Sequence, residues 1–373
     1  MLNDSHAHIL RLINQSGPLS RTELVSQLGV SKASMSALAA DLIERGMLTE
    51  GEIVYGSGRP SVRLALTPAS AFFIGVSLAS DPFLVRVTDL SGTVITTAEM
   101  AASTTPEDIA AGIARCVDAI LADGAIDRSK LAGIGIAIPG IVDARSAVCT
   151  RSTLLGWRDV PIGALVAQAT GLATFIENDA NALALGQHLF GDLRGSDACT
   201  VISVGDGIGC GHIIGGELHR GYRGSAGEIA HATIEPNGLP CKCGKRGCLD
   251  TLASVKAVAN FAQEAKLAPG LAALDQAAAQ GDQAAIAILH RAGAALGLAI
   301  SQLVQIMDPE RIVVALGEGP IDGLYARVLR QTVDANVMPD GAKQIDFAMM
   351  RLDQEAWAIG AASVAAGRAF FRL

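Results

Sequence analysis

The chain has 373 residues, of which half are hydrophobic, 18% charged and 4% aromatic. That composition excludes a disordered chain and leaves room for two or three domains with aliphatic cores. The net charge of −8 excludes a general nucleic-acid binder, but residues 1–65 carry six basic and six acidic side chains, so residues 66–373 hold the whole deficit.

A neutral head on an acidic body is compatible with DNA contact at the head alone. "SHAHILRLINQSGPLSRTELVSQLGVSKASMSALAADLIERGML" reads as three short helices. The second opens with a capping box, Ser20 to Glu23, and ends at Gly29; the third buries Met35, Leu38 and Leu42 at helical spacing. Helix, glycine turn, helix is the helix-turn-helix pattern. Away from the apolar stripe the third helix offers Ala33, Ser36 and Ala37, small enough to approach base edges, with Lys32 placed for phosphates and Arg21 as a further basic candidate. "LTEGEIVYGSGRPSVRLALT" then reads as a wing hairpin whose Arg59 suits a narrow minor groove. The alternative is a three-helix appendage that binds protein.

From Thr67-Pro68 the pattern changes. Three strands, a helix (106–124), a buried strand ending at Pro139-Gly140, a helix (161–171), the strand "ATFIEND" and the helix "ANALALGQHLFG" make a first half. A second set begins at "DACTVISVGDGIGCGHIIGGELHRG" and continues with a long helix, the strand "RIVVAL" and a C-terminal helix. Strands alternating with helices in two similar halves predict an α/β protein with its ligand in the cleft between lobes, near strand ends. The weakly polar stretch 292–307 contains Ser301 and two glutamines and reads as a buried helix, not a membrane span. The N-terminus is polar and periodic without a secretory pattern, and seven cysteines, an odd number, favour a cytoplasmic chain with a metal site over a disulfide framework.

His231 is followed after nine residues by Cys241, then at short spacing by Cys243 and Cys248. One imidazole and three thiolates form a closed tetrahedral set, the form of a structural zinc site, with Gly244 and Gly247 allowing a tight wrap. Reactive or redox thiols are the alternative. Upstream, "VISVGDGIGCGHII" has the glycines of a phosphate-binding turn, but Asp206 sits in its middle, where a carboxylate repels phosphate. The glycines there are expected to be needed by the turn itself.

"AIPGIVD", "IENDANALALGQHLFG", the segment from "VGDGIGCG" through "CKCGKRGCLD", and the winged head with "GRP" together resemble the ROK family (repressors, open reading frames, kinases) over nearly the whole chain. The likeness is greatest to the family's sugar-responsive repressors, the branch of the N-acetylglucosamine and xylose repressors. It implies a two-lobed actin-like (ribonuclease H-like) sugar-kinase fold behind an N-terminal winged helix-turn-helix. The divisions are then residues 1–66 for the head, 70–192 for the first lobe with the helix at 355–371 packed back on it, and 193–373 for the second lobe with the zinc loop 231–248. It also implies roles. Asp179 stands at the position of the kinase base, Asn178 holds a neighbouring hydroxyl, and Gly140 lets the chain approach the ring. Glu228 and His231 hold further hydroxyls, one His231 nitrogen on zinc aiming the other. The family's next sugar contact is Glu where this chain has Asp250, one methylene shorter, which implies a water-mediated contact or a different sugar.

The family's first phosphate motif, Asp-x-Gly-Gly-Thr, is Ser77-Leu78-Ala79-Ser80-Asp81 here, and its second, Gly-Thr-Gly, is Gly205-Asp206-Gly207. The adenosine-side glycine run has become 312–319, which includes Leu316 and Glu318. Two unit charges about 4 Å apart repel by roughly 1 kcal/mol in water and ~4 kcal/mol at an effective dielectric of 20. Phosphoryl transfer depends on charge neutralisation, so the altered motifs imply loss of kinase activity. The sequence therefore predicts a non-enzymatic repressor that is released from operator DNA by a sugar effector. Lobe closure shifts the heads of a homodimer or dimer of dimers; a bifunctional kinase and regulator is the alternative.

Overall fold

The computed structural model describes residues 2–54, 61–338 and 345–373. They fall into two compact units, Met1–Gly195 with Glu355–Leu373, and Ser196–Gln354.

The first unit opens with α1 (Asp4–Ser16), β1 (Leu19–Ser20), α2 (Arg21–Leu28), α3 (Lys32–Glu44), β2 (Leu48–Val54) and β3 (Ser61–Leu66), the strands ordered β1-β3-β2. This is a winged helix. The capping box is closed in both directions: Glu23 N donates to Ser20 Oγ at 3.2 Å, and Ser20 N donates to Glu23 Oε2 at 2.7 Å. Gly29 ends α2 in the left-handed region, which favours glycine. On α3 the fully buried residues are Met35, Ala39 and Leu42; Leu38, expected in that stripe, is only partly buried because the 35/39/42 line faces the core. Arg59 lies outside the described residues.

Behind the head, β4 (Phe72–Ser77), β5 (Phe83–Asp89), β6 (Val94–Met100), β7 (Leu131–Ile138) and β11 (Thr174–Asn178) form one sheet in the order β11-β7-β4-β5-β6. Here β4, β7 and β11 run parallel, while β5 is antiparallel to both of its neighbours. A small sheet of β8 (Ile141–Asp143), β9 (Val148–Ser152) and β10 (Trp157–Val160) follows β7. The helices are α4 (Pro106–Ala122), α5 (Ile162–Thr170), α6 (Asp179–Phe190) and a C-terminal helix, Glu355–Ala366. That last helix seats its backbone on the sheet through two glycines paired in register. A Cβ on Gly75 or Gly135 would collide with the carbonyl oxygen of Ala358 or Ala361.

The head shares its core with this sheet. Ile9, Leu10 and Ile13 of α1 belong to one apolar cluster with Phe73, Leu189 and Phe371. Phe371 and Phe190 meet edge to face, and Arg372 donates to Leu2 O at 3.0 Å and pairs with Asp4.

The second unit repeats the sheet plan. β12 (Ala198–Val204), β13 (Ile208–Ile214), β14 (Glu217–Leu218), β15 (Arg311–Leu316) and β16 (Asp346–Arg351) are ordered β14-β13-β12-β15-β16, with β12, β15 and β16 parallel. Around it pack α7 (Asp250–Ala253), α8 (Val255–Glu264), α9 (Leu271–Ala279), α10 (Gln283–Met307) and α11 (Leu324–Asn336). By length and composition α10 is the one described helix that passes as a membrane span, but Leu289, Leu296, Ile300 and Leu303 line its side of the unit's core at helical spacing.

Candidate functional site

On the head, Lys32, Ala33, Ser36, Ala37 and Ala40 are the exposed residues on the outer side of α3. Ser36 Oγ donates to Lys32 O at 2.9 Å, which leaves that surface low and smooth. Ala40 extends the surface one turn beyond the residues picked out by spacing. Arg21 is half-committed elsewhere: its Nη2 donates to Glu50 Oε1 on β2 at 2.9 Å. Arg63 on β3 donates to Pro18 O at 3.1 Å and braces the wing against the turn before α2.

At the carboxyl end of the first sheet, β11 runs straight into α6. Asn178 is the N-cap: its Oδ1 accepts from Asn181 N at 3.1 Å, while its Nδ2 donates to Gly140 O and Asp179 Oδ1, both at 3.0 Å. Asp179 Oδ1 also accepts from Ala180 N at 2.9 Å. Glu177, which the sequence reading passed over, is buried and braces this corner: its Oε1 accepts from Asn178 N and Asn181 Nδ2. The signal was a carboxylate inside an apolar strand. Glycine at 140 has a cause other than approach to a ring, since a Cβ there would collide with the carbonyl oxygen of Arg151.

In the second unit, His231 closes a short 3-10 turn, Ile229–His231, after Gly227 in the left-handed region. His231 Nδ1 faces Cys241 Sγ at 3.6 Å, and Cys243 and Cys248 Sγ lie 3.6 Å apart. One donor atom from each of His231, Cys241, Cys243 and Cys248 falls within 4.8 Å of every other, a set that could hold a metal ion. Cys248 pairs with Thr233 in a short antiparallel bridge, held by Ile234 N donating to Gly247 O and Leu249 N to Ala232 O, and Gly247 takes a positive φ where a side chain would strike Glu235 O. Burial and the neighbouring thiols push the Cys248 thiol up to about 12. A cation among the thiols reverses that preference and holds them as thiolates. The other nitrogen, His231 Nε2, lies 3.8 Å from Glu228 Oε2, and Glu228 is exposed.

Asp250 departs from its expected place. Buried at the start of α7, its Oδ1 accepts from Ile208 N at 3.1 Å and its Oδ2 lies 3.3 Å from Lys242 Nζ. One oxygen therefore holds the start of β13 and the other faces the cysteine loop. The turn between β12 and β13 does not demand its glycines: neither Gly205 nor Gly207 has a positive φ, and a Cβ on Gly205 would meet nothing within 4 Å. Asp206 is exposed at its tip. Nearby, the Glu318 carboxylate accepts from Leu271 N at 2.9 Å, at the start of α9. In the first unit Ser77 is buried at the end of β4 and Asp81 is exposed in the following turn.

Residues 73–368 match the ROK family, and residues 2–53 match the MarR family. Over 359 residues the chain is 27% identical to the xylose repressor of Bacillus subtilis, covering 95% of this chain and 93% of that one. It is 32% identical over 309 residues to the glucokinase of Thermotoga maritima, covering 78% of this chain and 96% of the kinase. A crystal structure of a ROK family transcriptional regulator, a homologue of the E. coli MLC protein, superposes with a TM-score of 0.83 at 24% identity over 99% of this chain and 96% of that one.

Proposed function

From a chain that belongs to the ROK family, we propose a sugar-responsive DNA-binding transcriptional repressor that has lost phosphoryl transfer. One observation carries the reading. A winged helix with a smooth, exposed α3 shares its core with a sugar-kinase-type sheet, while the chain's phosphate segments present Asp81, Asp206 and Glu318. The repressor reading is also supported by likeness to the xylose repressor along nearly the full length of both chains. Lys32, Ala33, Ser36 and Arg21 face operator DNA, and Arg59 extends the wing. Asn178 and Asp179 are one corner that holds sugar hydroxyls, and Glu228 and His231 are a second candidate corner. Gly140 shapes the first of these corners through β9, and Asp250 acts through the 205–208 turn.

Zinc is the ion that fits His231, Cys241, Cys243 and Cys248. Zn–S bonds of about 2.3 Å and Zn–N bonds of about 2.0–2.1 Å give tetrahedral edges of roughly 3.5–3.8 Å. The two donor separations of 3.6 Å fall in that range. Zinc held through His231 Nδ1 would fix the imidazole tautomer and leave Nε2–H as a donor on the side of Glu228. The working form is a cytoplasmic homodimer or dimer of dimers, matched to a two-fold operator.

The test is a gel-shift assay on the chain's own upstream DNA across a panel of sugars, run beside an ATP-turnover assay. DNA binding released by one sugar, without ATP turnover, is the expected result. Turnover abolished by Asp179→Asn overturns the loss of kinase activity and favours the bifunctional reading. Absence of DNA binding under every condition overturns the repressor.

A further inference from the structure

The turn that replaces the first phosphate motif lies on a pocket of about 600 Å³. All of its walls belong to the first unit. Leu78, Ala79 and Phe83 come from the β4–β5 connection, Ala102 from the segment after β6, and Leu154 and Leu155 from the turn before β10. Its size is that of pockets that enclose small organic ligands. Leu154 stands on its rim, 65% exposed.

The pocket and the Asn178–Asp179 corner share one frame. Leu78 N donates to Ala137 O at 3.0 Å, so the end of β4 is fixed to β7, and Asn178 pairs with Ile138 on the other side of β7. Adjacent strands are ~4.8 Å apart, which puts the two strand ends ~10 Å from each other. The opposite wall is tied to the same corner. Leu155 N donates to Ser152 Oγ at 3.2 Å, Ser152 Oγ donates to Pro139 O at 2.7 Å, and Gly140 O receives Asn178 Nδ2. The third wall is pinned by Trp157 Nε1, which donates to Thr104 O at 2.6 Å.

Phosphate does not suit this space. The only ionisable side chain on its lining is Asp81, and no lysine or arginine lines it. With the two strand ends ~10 Å apart, a substituent carried by a sugar at Asn178 and Asp179 is within reach of this space. Leu78, Ala79, Phe83, Ala102, Leu154 and Leu155 make most of the lining apolar, with Ser80, Ser103 and Thr104 as neutral polar groups among them.

We propose that this pocket binds an apolar aryl, alkyl or acyl substituent carried by the effector, which is therefore a neutral sugar derivative and not a sugar phosphate. The proposal rests on the reading of Asn178 and Asp179 as sugar-holding residues. Burying a group the size of a phenyl ring is expected to tighten binding ~10–100-fold.

The experiment is calorimetric titration of the full-length protein with free pentoses, hexoses and N-acetylhexosamines, their methyl and phenyl glycosides, their butanoyl esters and their phosphates. At least one phenyl or butanoyl derivative should bind ~10–100-fold tighter than its parent sugar, with the phosphate no tighter than the parent. Leu154→Asp, on an exposed rim, and Ala79→Trp, which fills the pocket, should each erase that advantage and leave the parent sugar's Kd unchanged. A parent sugar that binds as well as all its derivatives overturns the pocket assignment alone. So does a preference for the phosphate, or an advantage that survives both substitutions. If neither sugars nor derivatives bind, the sugar reading and the pocket assignment both fail.

Discussion

The side-chain amide of Asn14, in the last turn of the head's first helix, donates to the backbone carbonyl of Leu189 at 2.8 Å, and the bond is buried. Leu189 lies near the end of α6, the helix that begins at Asp179. Its 12 residues span about 18 Å at 1.5 Å per residue. One helix thus has the corner proposed to hold sugar at its start and the winged-helix head at its finish.

Replacing Asn14 by Leu leaves the Leu189 carbonyl buried without that donor, at a cost of about 1–3 kcal/mol. The intact protein should melt at a lower temperature. DNA affinity without effector should stay within about twofold, while effector-driven release weakens, because release depends on a differential between two states that this bond transmits. Gel shifts with and without effector, beside a thermal melt, check both parts.

On α3, Ser36→Glu places a carboxylate on the surface proposed to meet DNA and should abolish operator binding with the fold intact by circular dichroism. Lys32→Ala should be milder. It should weaken binding to operator and unrelated DNA alike and reduce the slope of log K against log salt by about 1.

Cys243→Ser should remove bound metal, read as loss of about one equivalent in elemental analysis. The second unit should then unfold at lower temperature. The head contributes to a core in the first unit and should keep its affinity for DNA while losing its response to effector.

Acid should loosen the head in two stages. Burial holds His6 below its usual value of 6.5, against the opposing pull of Asp41. The Ser20 N–H and hydroxyl hold the Glu23 carboxylate below its usual 4.5. In both cases the unfolded chain takes up the proton first, so stability is complete above the ordinary value and is lost as pH falls below it. Urea midpoints should decline from about pH 6.5 downward and again from about pH 4.5. Glu23→Gln should make the second decline shallower, leaving the part owed to Asp127 and Asp143, which hydrogen bonds also hold below their usual range; a pH-independent midpoint across that range would contradict both assignments.

Local chemistry explains which parts were legible in the sequence. The Ser20–Glu23 capping box, the Gly29 stop and the His/Cys spacing each encode contacts between near neighbours, and each is found in the structure. The ROK fold was legible through motifs that lie at strand ends. The partners of Asp250, Ile208 and Lys242, were not legible because they are set by how one turn packs on another. Gly140 was read as making room for a ligand, when the room is taken by Arg151 on a returning strand. The shared core of head and sheet was invisible for a similar reason. Its contacts join residues such as Asn14 and Leu189, and neither side chain carries a pattern that names the other.

The bond from Arg372 to Leu2 and the packing of Phe371 beside Ile9 and Leu10 bear on synthesis as well as on signalling. A ribosome makes α1 first and residues 364–373 some 350 residues later, so the head waits for its last wall through most of elongation. During that interval the apolar face of α1 is a target for chaperones and proteases, and a nascent chain lacks a finished head. The core that the head shares with the sheet is therefore complete only after both units have been translated.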